Sequence, residues 1–307
     1  MRIGESMKLG LCEIKSDALS RAPLIFENHF LKSFWMLYEL AQHLSPSDET
    51  FAPTIWARLT TSQYPLANRP ISSLIYFPAD ISDLRRKSII RRGLFPSAYA
   101  ALWIEICKSG AEAVLQEYLA KALRDPGYLG HRLSILESFY KSWELVKDKS
   151  EDLKLWSDRL MEFIVTAFIS HRTAYSLENF ELRGKTFNEV LESCLVRPGF
   201  FAHNLIALAS AHRLISQGWV DDVELLLGKI YQMTQFEYTD SEDNVEIKGR
   251  EIVFTDDAFR TTLLEFLFQG PQDPHVITSA HTFQYLWKLN PSLKHRKLIM
   301  INLESLK

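Results

Sequence analysis

The chain has 307 residues, 47% of them hydrophobic and 24% charged, the balance of a globular protein with a substantial core. A net charge of −3 and a pI near 6.3 leave no basic footprint for nucleic acid. Three scattered cysteines (Cys12, Cys107, Cys194) exclude a disulfide scaffold and a thiolate metal knot, and fit a reducing compartment.

Residues 1–20 carry Glu5, Glu13 and Asp17 among their apolar residues, so they read as a short lead-in and not as a secretion signal. No stretch approaches the roughly 18 uninterrupted apolar residues of a membrane span. A cytoplasmic, non-membrane protein is the expectation. After Pro23, Phe26, Phe30, Phe34, Leu37 and Leu40 recur at helical steps. Ser45-Pro46-Ser47-Asp48 stops that helix and caps the next, 49–60, with Trp56 on its apolar side. Pro65, Pro70 and Pro78 then mark an irregular connection. The basic run Arg85 to Arg92 reads as a solvated helix face, the alternative being a site for a cofactor phosphate or an acidic partner.

Helices follow over 97–108 and 111–123, separated by Ser109-Gly110. Further helical patterns cover about 129–146, 153–170, 185–195 and 201–216, with 171–183 ambiguous and Gly218 as a stop. Asp221-Asp222 opens another helix, reaching about Met233. Val245, Ile247, Ile252 and Phe254 around Lys248-Gly249 predict a small β-hairpin near 245–254. Thr255 caps a helix reaching Phe268, and 275–288 and the residues after Asn290-Pro291-Ser292 complete the chain. The fold class is therefore all-α: a bundle of about ten to twelve helices, forming a single helical domain over 1–307. Rossmann, P-loop, GxSxG, HExxH and CxxC signatures are all absent.

One pattern recurs. Proline, then a small or amide residue, then histidine opens an apolar helical run in Asp125-Pro126-Gly127 to His131 and in Arg197-Pro198-Gly199 to His203. Looser copies run from Pro23 to His29 and from Pro274 to His281, with His275 as an additional candidate. Histidines His29, His131, His203 and His281 lie 102, 72 and 78 residues apart, too far for one local loop. Such spacing suits a site assembled by helices converging in a bundle. Imidazole ligates iron, zinc, copper or nickel. A helix N-terminus disfavours imidazolium, and a metal needs the neutral ring. Neutral histidines call for an anionic ligand as well, for which Glu27, Asp256 and Asp257 are candidates. His43, His171, His212 and His295 fall outside the pattern. The competing interpretation is a non-catalytic helical binding or interaction protein whose histidines are hydrogen-bonded in the core.

The order of these motifs resembles the questin oxidase-like family. Asn28-His29 through Leu40 and Trp56, Ala98 to Tyr118 followed by Gly130-His131, Ala202-His203-Asn204, and His275-Val276-Ile277 carry the likeness. The resemblance implies an all-helical enzyme that oxidatively opens aromatic polyketide rings. It implies a mononuclear non-haem iron held by histidines and a carboxylated lysine, with NADPH as reductant by analogy. Thr278 stands where the lysine falls. The expected ligand set is thus drawn from His29, His131, His203 and either His275 or His281. Iron is the expected cofactor and an apolar or aromatic small molecule the expected substrate.

Overall fold

The computed structural model describes residues 3–21, 30–45, 48–60, 81–94, 96–168, 183–236, 246–247, 251–289 and 292–307. Its described residues form fourteen α-helices and no strand. They are α1 (Ile3–Ser20), α2 (Phe30–Leu44), α3 (Phe51–Thr60), α4 (Asp83–Arg91), α5 (Ser97–Ser109), α6 (Ala111–Arg124) and α7 (His131–Val146). Then come α8 (Ser150–Ala167), α9 (Phe187–Val196), α10 (His203–Ser216), α11 (Val223–Met233), α12 (Asp256–Gln269), α13 (His275–Leu289) and α14 (Leu293–Ser305). Short 3-10 turns, Tyr128–Gly130 and Phe200–Ala202, lead into α7 and α10.

The all-α expectation holds, with a higher helix count. The supposed lead-in is α1, whose Leu11, Ile14, Ala18 and Leu19 are buried at helical spacing and pack on α2, α3 and α8. The basic run is α4. Arg86 turns inward there to Glu105 at 2.7 Å, while Arg85, Lys87, Arg91 and Arg92 face solvent. The hairpin is not formed by the described part of its segment. Ile247 donates its amide to the Val196 carbonyl at 2.8 Å, and Ile252 and Phe254 lie against the helical core. Alternating apolar residues make a strand only when a partner strand satisfies the backbone, and here a helix end takes that part. Val245, Lys248 and Gly249 lie outside the described residues, as do the 171–182 part of the ambiguous segment and His29, Glu27 and His171.

Four helices make the centre. α2 packs on α7 and α13, and α10 packs on the same two, closing a ring. Nearly every residue of α10 from His203 to Leu214, and of α13 from His275 to Trp287, is buried. A helix buried on all sides belongs to the interior of a larger assembly, and the other helices supply that cover. The four run in the same direction. Their first turns meet, with Lys32 of α2 beside Ser134 of α7 (3.4 Å) and Ser33 of α2 on the Pro274 carbonyl before α13 (3.2 Å). Parallel neighbours cannot be joined by short loops. The intervening helices α3–α6, α8–α9 and α11–α12 are therefore crossovers, and these set the long spacing between the histidines.

Candidate metal centre

The turn before α7 begins with Asp125, whose carboxylate accepts the Gly127 amide at 3.1 Å. Gly127, Leu129 and Gly130 then take positive φ values of 76°, 51° and 72°. Two carbonyls are drawn back by this path: Gly130 donates to Gly127 O (3.1 Å) and Arg132 to Pro126 O (3.0 Å). The turn before α10 repeats it with Gly199, Phe201 and Ala202 at 71°, 43° and 60°. There Ala202 donates to Gly199 O (3.0 Å) and Asn204 to Pro198 O (2.9 Å). Each path brings a carbonyl to the ring of the histidine three residues on. His131 Nδ1 lies 2.8 Å from Tyr128 O, and His203 Nδ1 bonds to Phe200 O. A carbonyl only accepts, so Nδ1 is the protonated nitrogen in both rings and Nε2 keeps the lone pair that a metal could take.

His275 reaches the same state by another route. Asp273 caps α13, accepting the His275 amide at 2.8 Å and its Nδ1–H at 2.6 Å. A carboxylate behind a ligand histidine fixes the tautomer and raises ring basicity. The three rings converge. One nitrogen from each of His131, His203 and His275 lies within 4.8 Å of the other two. Ring centroids are 4.7 Å apart for His131–His203 and 5.0 Å for His203–His275. His203 Nε2 is buried with no hydrogen-bond partner among the described residues. Phe201 stacks on His275 at 5.4 Å, and its carbonyl is held by the Ser279 hydroxyl at 2.7 Å.

The electrostatics favour neutral rings. Burial, then the Lys32 charge, hold His131 down at about 3, against the raising effect of the Tyr128 carbonyl. Burial, then His131, His275 and Lys32, take His203 well below the ordinary histidine value. A tetrahedral metal at ~2.05 Å separates its nitrogen ligands by about 3.4 Å, so the rings need only close inward slightly. The donor set fits a borderline transition metal: three imidazoles, each with its second nitrogen already engaged.

His281 lies elsewhere. Its Nε2 is 2.6 Å from Glu39, and it is no member of the three-histidine group. Thr278 is fully buried and turns its hydroxyl back to the His275 carbonyl at 3.0 Å. Asp256 accepts from the Trp287 indole (2.8 Å) and pairs with Arg296, and Asp257 is exposed on α12, so neither supplies the anion. The basic face of α4 contributes Lys87 and Arg91 to a cleft of about 310 Å³ with α5 and α6, lined by none of the histidines. His212 and His295 bond to Tyr285 and Glu192, apart from the group.

Lys32 and Asp273 were missed by pattern reading. Lys32 is 1% exposed, and burial lowers its amine to about 7, with Glu137 opposing and Arg213 assisting. A signal existed: a lysine set among Phe30, Leu31 and Phe34 in the first turn of an amphipathic helix. Another signal separates His275 from His281. Positions 131, 203 and 275 are equally spaced by 72 residues.

Comparison of the chain with family models, curated proteins and solved structures finds no match. Among the described residues no helix is long and apolar enough to cross a membrane.

Proposed function

We propose that this protein is a metal-dependent oxidoreductase, with His131, His203 and His275 holding one transition metal, iron in the reading that the questin oxidase-like resemblance implies. One observation carries this. All three Nδ1 atoms are engaged by acceptors built into the turns, so three Nε2 atoms are presented from three helix starts. Core histidines placed for packing alone have no reason to share this tautomer and converge. Bound iron supplies redox chemistry toward dioxygen. The chain supplies neutral imidazoles, a buried setting and aromatic walls at Phe200 and Phe201.

The anionic ligand that the resemblance places at position 278 has a substitute across the bundle. Lys32 is buried beside the histidines, close enough for its charge to depress both His131 and His203. An amine held near neutrality is nucleophilic toward carbon dioxide, and the resulting carbamate is an anion. Lys32 thus takes the lysine's part from α2, and Thr278 closes the vacated position on α13. The substrate class is an apolar aromatic small molecule, with NADPH as the reductant by resemblance only.

The experiment is oxygen consumption by iron-reconstituted protein with a panel of hydroxyanthraquinones, with and without NADPH. Consumption that is substrate-dependent and absent in His203→Ala supports the reading. Stoichiometric iron without any substrate-dependent consumption refutes the oxidase and leaves a metal-binding helical protein.

A further inference from the structure

Two turns into the central ring stands a second buried polar layer. Each of the four helices contributes one ionisable side chain to it: Glu39 from α2, Glu137 from α7, Arg213 from α10 and His281 from α13. His281 is six residues beyond His275, about 9 Å along the helix at ~1.5 Å per residue. Glu137 and Arg213 form a closed pair, bidentate at 2.6 and 2.8 Å, and Ser210 takes a further guanidinium proton at 3.1 Å.

Buried charges are costly, and a layer retained only for structure has its polar atoms mutually satisfied. This layer is not closed. His281 Nδ1 and Arg213 Nη1 are both buried and lack hydrogen-bond partners among the described residues. At the other end of the imidazole, Nε2 meets Glu39 at 2.6 Å, and the Glu39 side chain is 31% exposed while that of His281 is 6% exposed. The dyad therefore spans from solvent to the bundle interior: a carboxylate in contact with water, then a ring with one nitrogen on each side. Ser134 and Lys32 occupy the level between this layer and the three histidines.

We propose that the Glu39–His281 pair is a proton route between solvent and the histidine pocket, which rests on the reading of that pocket as a metal centre. Burial favours the neutral ring, and Nε2–H is donated to Glu39, so Nδ1 carries the inward lone pair. The proton is the one that leaves Lys32 as its amine adds carbon dioxide to become the carbamate, since the neutral histidines release none. Nδ1 takes it, Nε2 passes its own to the Glu39 carboxylate, and Glu39 releases it to water. One proton leaves, an N–H bond forms at Nδ1 as the one at Nε2 breaks, and the ring returns to its first tautomer by proton exchange before the next passage. The charged groups facing the ring are Glu39, Glu137 and Arg213, and Lys141 faces Glu39 from α7. Burial opposes a charged ring most, and Arg213 opposes it more than Glu137 favours it, so the ring carries charge only in passing and Glu39 is the group that draws the proton on.

The test uses His281→Gln, which keeps an N–H donor toward Glu39 but cannot relay, and Glu39→Gln. Metal-free full-length protein is mixed with Fe(II), or with Co(II) as a spectroscopic probe, in a weakly buffered indicator solution containing bicarbonate, so that carbamate formation at Lys32 supplies the proton. Uptake of metal and release of protons are followed together. Both variants are expected to reach the wild-type metal stoichiometry, with proton release slowed by roughly 100-fold, the scale of a lost acid–base group. Release at the wild-type rate in both variants, or metal uptake without proton release in wild type, overturns the proposal. Wild type that takes up no metal instead sinks the parent reading. The route is then judged on metal-free protein by imidazole ¹⁵N chemical shifts. His281 with Nε2–H and a bare Nδ1 at neutral pH is required, and an Nδ1–H tautomer or an imidazolium contradicts it.

Discussion

The turns at 125–131 and 197–203 follow one backbone path to one end, a histidine whose Nδ1 is held by the carbonyl three residues back. They differ where the path is tightest. Gly130 occupies the left-handed position before His131, and Ala202 the same position before His203. A Cβ at Gly130 would sit 2.4 Å from the Ala207 Cβ, so helix contact dictates glycine there. Ala202 is buried with its methyl group in place and carries the positive φ at the cost of backbone strain. Backbone geometry is thus what the two turns share, and packing decides which residue realises it.

Acid should break both turns together. His131 and His203 have folded-state values pushed below the unfolded ~6.5. Between that value and the folded one the unfolded chain binds more protons, so stability falls as pH falls, by up to about 1.4 kcal/mol per unit for each ring. Denaturant midpoints of metal-free protein measured from pH 7 to 4 should decline steeply, and less so in His203→Gln. A flat profile would mean that the rings are not buried neutral.

Gly130→Ala tests the tighter turn. The steric clash with Ala207 and the positive φ together should cost about 2–4 kcal/mol, read from urea unfolding. A loss under about 0.5 kcal/mol would show that α7 and α10 do not approach so closely. Asp273→Asn sets the third helix against the two turns. There a side chain, not a carbonyl, orients the ring, so the ring can be loosened without touching the backbone. Metal affinity should fall about 10- to 100-fold with little change in fold. Unchanged affinity in a calorimetric titration would remove Asp273 from the site. The smallest effect belongs to Ala202→Gly, which should raise stability by about 1 kcal/mol at most by relieving the left-handed alanine. Any clear destabilisation would mean that the alanine methyl packs better than its φ suggests.

Much of the fold was legible because amphipathic periods and Pro-Gly stops are local features. α1 is hard to see in the sequence because its buried face, Leu11, Ile14 and Ala18, is a narrow stripe among Glu13, Lys15 and Asp17. The site was half legible. His131 and His203 announce themselves by their repeated turns. The choice of His275 over His281 depends on Asp273 and on where α13 begins against α10. The Glu39–His281 and Lys32–Ser134 contacts join residues 242 and 102 positions apart. Periodicity says that such residues face inward but not which of them meet. The hairpin failed for the same reason, since its pairing partner is the end of α9.

The most direct test of the account is elemental analysis of untagged protein, purified with and without exclusion of oxygen, beside His131→Ala and His203→Ala. The account predicts about one transition metal per chain in the wild type and its loss in both folded variants. Wild-type protein free of metal under both conditions, or variants that retain it in full, would contradict it.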